Sequence, residues 1–225
     1  MLINLRHRSN EEELMDDPEV DEQALNIALQ DISRANKLLG GNNVTIKTVF
    51  NLIQKEDVVK EWVIIDFGCG DGEILRQLIN SSRKKGIKLK LIGIDNNEKC
   101  VIQARKLSIS YPEIEFFHRD ILTVTKQDFH CDIIICTLTL HHFDDEQIKN
   151  VLKKSISLVS KAVIINDIHR NKVSYYLFKL FSFFFIKGYI AKYDGLISIK
   201  RGFKKRELVD FAKELQISSY QLDWK

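Results

Sequence analysis

The sequence predicts an α/β fold: a doubly wound, mostly parallel sheet with a helical cap at its N-terminus. Three observations carry this. From residue 62 onward, five short apolar runs alternate with segments of helical periodicity. The runs are apolar throughout rather than alternating, as strands covered on both faces are. The segment before the first run has only the helical period. Right-handed crossovers then wind the chain into a sheet with helices on both faces.

The first expected helix covers 21–40, where Leu25, Ala28, Leu29, Ile32 and Ala35 recur at spacings of three and four and Gly40-Gly41 supplies a stop. A second, shorter helix is expected at 45–55. Residues 62–67 read as the first strand, ending at Gly68. Residues 73–85 are helical, with Ile74, Leu75, Leu78 and Ile79 on one face. The second strand, 89–94, closes at Asp95, and a helix follows at 98–110. The third strand, 114–118, ends near Asp120. The fourth, 132–136, leads to an amphipathic helix at 144–159, and the fifth lies at 162–168. Residues 203–215 look like the last helix.

Composition bounds the function. The chain has 225 residues, 44% hydrophobic and 29% charged, which excludes disorder, collagen-like repeats and coiled coil for the bulk of it. It is long enough for one domain, or one domain with an elaboration, and buries roughly 70% of its unfolded surface without staples. A net charge of +3 is too small to argue for nucleic acid. Cys69, Cys100, Cys131 and Cys136 form neither a C-x-x-C pair nor a zinc spacing, and read as reduced thiols of a cytoplasmic protein. No secretory signal opens the sequence. No run reaches the ~18 uncharged apolar residues of a transmembrane helix, since 173–190 is interrupted by Lys179 and Lys187. Charge is uneven: 11–22 holds eight acids and no base, and 200–206 holds five bases in seven residues. These are either two solvated faces or two arms flanking one site.

Sheets of this kind bind ligands beyond the carboxyl ends of their strands, so the residues just after each strand are the site candidates. The strongest signal is Ile64-Ile65-Asp66-Phe67-Gly68-Cys69-Gly70-Asp71-Gly72: a buried strand ending in an acid, alternate glycines, then a helix. Glycine lets backbone turn sharply and approach a ligand closely. A tight turn without a ligand is the alternative. Asp95 closes the second strand, where a carboxylate accepts ribose hydroxyls, and Asp120 follows the third, where a polar group meets an adenine edge. Each is also a plausible helix N-cap or turn acid. Three acids behind one glycine loop are harder to dismiss. The G-x-G-x-G spacing departs from the G-x-G-x-x-G of nicotinamide dinucleotide sites. Asp66, Asp71 and Glu73 would repel a pyrophosphate and suit a ligand carrying an ammonium or sulfonium.

These residues resemble the class I S-adenosylmethionine-dependent methyltransferases. Asp66 to Gly72 looks like their first motif, Gly93-Ile94-Asp95 their second and Arg119-Asp120-Ile121 their third. Asp132 to Thr137 with Leu140-His141-His142-Phe143 looks like their fourth strand and the turn after it. The resemblance covers roughly 60–168. It implies that Asp66 and the loop Gly68-Cys69-Gly70 hold the methionine part of S-adenosylmethionine. Asp95 and Asn96 then take the ribose and Asp120-Ile121 the adenine, with Thr137 beside the cofactor. Within the class the chain is most similar to small-molecule enzymes of the ubiquinone and menaquinone biosynthesis type and to bacterial enzymes that methylate phenols and polyketides. Residues 13–17 and 34–41 look like that subgroup's N-terminal cap, which implies a cap at 1–44 and a methyltransferase domain at 45–225. The full class I sheet has seven strands; 217–223 looks like the sixth, so either the seventh is missing or the sheet ends early.

The methyl acceptor is less legible. A phenol with a pKa near ~10 benefits from a histidine base with a pKa near ~6.5. His141, His142 and His169 follow strands four and five, and His142 and His169 are the candidates for base or acceptor positioning. A structural turn is the alternative for the His-His pair. Adjacent histidines do not share a helical face as i, i+4 metal ligands do, so no metal site is expected. The base position of plant-type phenol methyltransferases falls on Gln147, so that mechanism does not carry over. Residues 175–189 hold eight of the twenty-one aromatics. Val173, Tyr176, Leu177, Leu180, Phe181 and Phe184 form one predicted helical face. The segment has three possible uses: an apolar acceptor pocket, ordinary packing, or peripheral membrane contact aided by Lys172, Lys179 and Lys187. The Pro-Pro and Pro-Cys signatures of nucleic-acid methyltransferases are absent. The expectation is therefore methyl transfer to oxygen, less readily carbon, of an apolar aromatic or quinone-like small molecule. A nicotinamide-dependent reductase, an RNA methyltransferase and a non-catalytic binding module remain open.

Overall fold

The computed structural model describes residues 3–17, 19–54 and 60–224. Five parallel strands stand in the order β3-β2-β1-β4-β5. They are β1 Trp62–Phe67, β2 Leu89–Asp95, β3 Ile114–His118, β4 Cys131–Thr137 and β5 Val159–Asn166. The order reverses between β1 and β4, so the crevice of a doubly wound sheet opens at their carboxyl ends.

Strand pleating sorts the apolar runs onto two faces. Ile64, Ile133 and Ile135 point to one side. There they meet Val49 and Phe50 of α2 (Gly41–Ile53), Leu75 and Leu78 of α3 (Glu73–Lys85) and Val101 of α4 (Glu98–Leu107). Ile65, Phe67 and Ile134 point to the other side, against Ile148 and Val151 of α5 (Asp145–Leu158) and Phe211 of α8 (Lys205–Glu214). Both faces are covered, which is why these strands carry no polar alternation.

A third layer lies at one end. Helices α1 (Glu22–Leu39), α6 (Lys172–Phe185) and α7 (Tyr189–Arg201) meet through Ala28, Ile186, Ile190 and Ala191, with Phe178 and Phe181 packed against them. The turn between α6 and α7 is fixed by a buried acid: Asp31 Oδ2 accepts the backbone N–H groups of Lys187 at 2.9 Å and Gly188 at 2.7 Å. Gly195 permits the close crossing of α6 and α7, since a Cβ there would sit 2.2 Å from the Phe178 ring.

Several boundaries differ from expectation, each for a local reason. Gly40 adopts φ +73°, ending α1 and starting α2 at once, four residues early; Lys55, the expected end of α2, lies outside the described residues. Helix α4 stops at Leu107, where Ser108 N–H bonds back to Arg105. Strand β5 begins at Val159 because a register shift at Cys131/Ile133 lets it pair early, and Asp167 and Ile168 then leave the sheet. The expected sixth strand at 217–223 is not formed. Gln216 takes φ +52° and Ile217 N–H bonds to Ala212 O, so this segment is spent closing α8. Among the described residues the outer edge of β5 therefore stays unpaired. Helix α7 was not anticipated: its apolar residues are buried on several sides, leaving little periodicity to read. Among the described residues no helix is long and apolar enough to cross a membrane.

Candidate active site

A cleft of about 1320 Å³ opens where the strands end, between the glycine loop and the layer of α1, α6 and α7. Asp66, Gly68, Cys69, Gly70, Asp95, Asn96, Asp120, Ile121, Thr137 and His142 all line it, although they come from four separate strand ends.

The glycine loop is held in a conformation that other residues resist. Gly68, Gly70 and Gly72 have φ +76°, +53° and +76°. At Gly68 a Cβ would also lie 2.2 Å from the Thr139 methyl. Gly70 has open space around its Cα and borders the cleft, the arrangement that admits a ligand close to backbone. The loop is tied to β2: Gly68 N–H bonds Ile94 O at 2.8 Å, and Gly70 N–H bonds Asp95 Oδ2 at 2.8 Å. Asp95 Oδ1 accepts Asn97 N–H at 2.9 Å. Burial pushes the Asp95 carboxyl above the usual range, and these two N–H groups pull it back.

Asp66 is different. It is 1% exposed, and neither carboxylate oxygen has a hydrogen-bond partner. Burial, with Asp95 nearby, pushes its pKa well above the ordinary value. A buried carboxylate left in this state fits a cationic ligand group placed against it. The other two loop acids are answered internally: Arg76 lies 3.6 Å from Asp71 and 2.9 Å from Glu73, and Ser33 of α1 donates to Asp71 at 3.1 Å. Only Asp66 therefore carries the charge preference read from the sequence.

Beyond β4 the backbone is strained. Leu138, which lines the cleft, has φ +55° and donates its N–H to Asn166 O at 2.8 Å. Such conformations in residues with side chains gather at functional sites. Thr137 Oγ1 lies 3.0 Å from Thr45 Oγ1, and Asn166 Nδ2 donates to Thr45 Oγ1 at 3.1 Å and Gly41 O at 2.9 Å. These bonds stitch α2 to the ends of β4 and β5. Asp120 caps a single 3-10 turn by accepting Leu122 N–H at 2.8 Å, which leaves its second oxygen without a local bond.

The cleft has a polar end. Leu140–His142 form another 3-10 turn, placing the two imidazole rings 4.4 Å apart. His141 Nδ1 lies 2.7 Å from Asp167 Oδ1, and His142 Nδ1 lies 2.7 Å from Asp16 Oδ2. Between them comes Glu13 from the N-terminal arm, 3.4 Å from His141 Nε2 and 3.7 Å from His142 Nε2. Ser198 Oγ donates to Glu13 at 2.9 Å. Asp194 of α7 holds the turn that presents Asp16, accepting Leu14 N–H at 2.7 Å and Met15 N–H at 3.0 Å. Burial would lower the His141 pKa, but the Asp167 and Glu13 carboxylates outweigh it and raise it to about 10. Burial alone likewise raises Glu13, and the two histidines bring it below its ordinary value.

The charged segments meet here too. Arg201 donates to the carbonyls of His141 at 3.0 Å, His142, and Glu11 at 2.7 Å, while Lys200 pairs with Glu11 at 2.8 Å. Glu11, Glu13, Asp16, Lys200 and Arg201 thus bring the two segments together at one site, while Glu12, Asp17, Glu19, Lys205 and Arg206 face solvent. His169 is placed differently from expectation. It pairs with Phe203 in an isolated bridge, stacks edge-on against Trp224 at 4.5 Å, and is not among the residues lining the cleft. It follows Asp167 and Ile168 out of the sheet; Asp167, unflagged by the sequence, is the residue that turns back to the site.

The remaining wall is apolar: Leu29 and Ile32 from α1, Leu177, Phe178 and Phe181 from α6, and Ile199 from α7. The aromatic segment is thus split. Phe178 and Phe181 turn inward, whereas Val173, Tyr176, Leu180, Phe183 and Phe184 are exposed on the outer face. The predicted helical face is mostly the outer one.

Residues 64–161 match the family model for a methyltransferase domain. No curated protein matches the chain. Among solved structures, the plantazolicin methyltransferase BpumL in complex with S-adenosylhomocysteine is similar over 91% of this chain and 74% of its own, at 18% identity and a TM-score of 0.65. The methyltransferase domain of a citrinin polyketide synthase is similar over 71% and 41%, at 12% identity and a TM-score of 0.53. The small RNA methyltransferase HEN1 is similar over 76% and 21%, at 17% identity and a TM-score of 0.54. At these identities the likenesses speak to the fold.

Proposed function

We propose that the chain is a class I S-adenosylmethionine-dependent methyltransferase that transfers the methyl group to an oxygen of an apolar aromatic or quinone-like small molecule. The carrying observation is the two-ended cleft: an apolar wall from α1, α6 and α7, and a polar end at Glu13, Asp16, His141 and His142. An acceptor that is apolar over most of its surface and bears one hydroxyl fits such a lining.

S-adenosylmethionine supplies an electrophilic methyl on a sulfonium sulfur, which keeps the electron pair when the carbon–sulfur bond breaks. In this reading Asp66 faces the cationic methionine part, and Gly68, Cys69 and Gly70 border it with backbone. Asp95 and Asn96 take the ribose, Asp120 and Ile121 the adenine, and Thr137 sits beside the cofactor. The orphaned oxygens of Asp66 and the open space at Gly70 support this assignment. His142, oriented by Asp16, holds the acceptor oxygen in line and takes the hydroxyl proton, as alignment is the main contribution a protein makes to such a displacement. Residues 1–44 serve as a cap over 45–225, α1 closing the acceptor together with α6 and α7, against which it packs.

RNA is the weaker reading. HEN1 acts on small RNA, but here the first two bases of 200–206 are spent on Glu11 and on the His-His turn. Calorimetric titration with S-adenosylmethionine, S-adenosylhomocysteine and NADH comes first, followed by turnover on a panel of phenols and quinols read by mass spectrometry. Micromolar binding of the first two ligands and a mass gain on a phenolic oxygen is expected. NADH binding alone, or methylation of RNA and no small molecule, overturns the proposal.

A further inference from the structure

We propose that Glu13, His141 and His142 form a binding site for a divalent transition-metal ion at the acceptor end of the cleft. This rests on the acceptor reading above and, with an ion bound, replaces His142 as the base.

Three features point to a cation. The first is distance. One ligand atom from each of the three residues lies within 4.8 Å of the others. Two atoms bound to one metal at about 2.0–2.1 Å and a tetrahedral angle lie roughly 3.3–3.4 Å apart. Glu13 stands 3.4 Å from one Nε2 and 3.7 Å from the other, too far for good hydrogen bonds and suited to a shared ion.

The second is an orphan. His141 is 2% exposed, and its Nε2 has no hydrogen-bond partner, although Glu13 is the group it faces. A buried imidazole nitrogen left in that state calls for a ligand.

The third is the arrangement behind the ligands. Histidines that bind metals donate their other ring N–H to a carboxylate, which fixes the tautomer and turns the free lone pair toward the ion. Both have that partner here, His141 with Asp167 and His142 with Asp16, each at 2.7 Å, and an ion bound at the His141 Nε2 displaces to solvent the proton that Asp167 and Glu13 otherwise hold on that ring. Glu13 is secured in turn by Ser198. The adjacency that argued against a metal pair on a helix is overcome by the 3-10 turn, which brings the rings 4.4 Å apart, and by a third ligand from the N-terminal arm.

Two imidazoles and one carboxylate leave coordination positions open toward the cleft they line. The acceptor oxygen then occupies one of them. Its proton passes to solvent as the ion lowers the hydroxyl pKa. The oxygen lone pair forms the new bond to the methyl carbon, and the carbon–sulfur pair stays on sulfur. In this state His142 is a ligand, and it reaches the acceptor through the ion rather than as a base.

The test uses the full chain stripped with a chelator. Zn2+ is titrated by calorimetry, Co2+ binding is followed by its visible absorption, and S-adenosylhomocysteine binding is measured in parallel. One Zn2+ per chain is expected, with absorption of four- or five-coordinate Co2+. Glu13→Gln should weaken Zn2+ at least about 100-fold, and Asp16→Asn and Asp167→Asn about 10–100-fold each. If Glu13→Gln fails to fold, Asp16→Asn, whose carboxylate is half exposed, carries the comparison. Absence of stoichiometric Zn2+ binding, or binding unchanged in these variants, overturns the site. If S-adenosylhomocysteine still binds in that case, the methyltransferase reading stands alone. If Zn2+ binds and S-adenosylhomocysteine does not, the cofactor reading fails and the metal site stands.

Discussion

Gly70 donates its backbone N–H to the Asp95 carboxylate at 2.8 Å, so the glycine loop after β1 is clamped by the acid that ends β2. Asp95 thus sets the shape of the loop as well as facing the cleft. Asp95→Ala is expected to weaken S-adenosylhomocysteine binding by at least about tenfold, roughly 1.4 kcal/mol, and to lower the melting temperature, since two backbone N–H groups lose their acceptor. Calorimetry and thermal melts check both.

The loop glycines should separate two kinds of failure. Gly68→Ala meets both a positive φ and the Thr139 side chain, so it should destabilise the fold by more than the ~1–2 kcal/mol of the backbone conformation alone. Gly70→Ala meets no neighbour, so its fold should lose only that backbone cost while cofactor affinity falls. Urea denaturation beside ligand titration distinguishes them.

Asp66 should show opposite effects on stability and binding. Its carboxylate is buried without partners, so Asp66→Asn should melt no lower than the wild type when ligand-free. The variant should bind S-adenosylmethionine at least about tenfold more weakly, because a charge-assisted contact is lost. Ligand should then raise its melting temperature less than it does in the wild type.

Removing one ring from the apolar wall should act on the acceptor and, through lost packing against α1 and α7, on stability, but not on the cofactor. Phe181→Ala is expected to raise KM for an apolar phenol by about tenfold, in line with the ~1–3 kcal/mol that hydrophobic pockets discriminate, with cofactor affinity unchanged. Steady-state kinetics with each substrate varied in turn reads this.

Asp194 gives a pH signature. Burial pushes its carboxyl from 3.8 to about 6, even though two backbone N–H groups oppose the shift. Between those values the folded chain holds the proton more tightly than the unfolded chain. The stability contributed by Asp194 is therefore lost as pH rises from about 4 to about 6. Relative to Asp194→Asn, the wild type should lose unfolding free energy across that window and run parallel to it above. Denaturant titrations at stepped pH check the sign.

The five strands, the glycine loop and the acids at the ends of β1 and β2 and after β3 were legible in the sequence because each is a local pattern. A buried parallel strand needs an unbroken apolar run, and a turn of positive φ needs glycine. The same locality misled at two places. Residues 217–223 have strand-like residues but follow the positive-φ turn that closes α8 and leave the open edge of β5 unpaired, and His169 follows β5 in sequence yet packs against Trp224.

Sequence alone determined the sheet, its crossover helices and the strand-end residues that border the cleft. Only the tertiary structure decided what surrounds the His-His turn. Glu13 and Asp16 reach it from 128 and 126 residues away along the chain, and Asp167 from 26. No local pattern encodes a pairing at that separation. It exists because Asp194 and Ser198 of α7 fix the N-terminal arm, and the Arg201 and Lys200 contacts hold it, where β4 and β5 end.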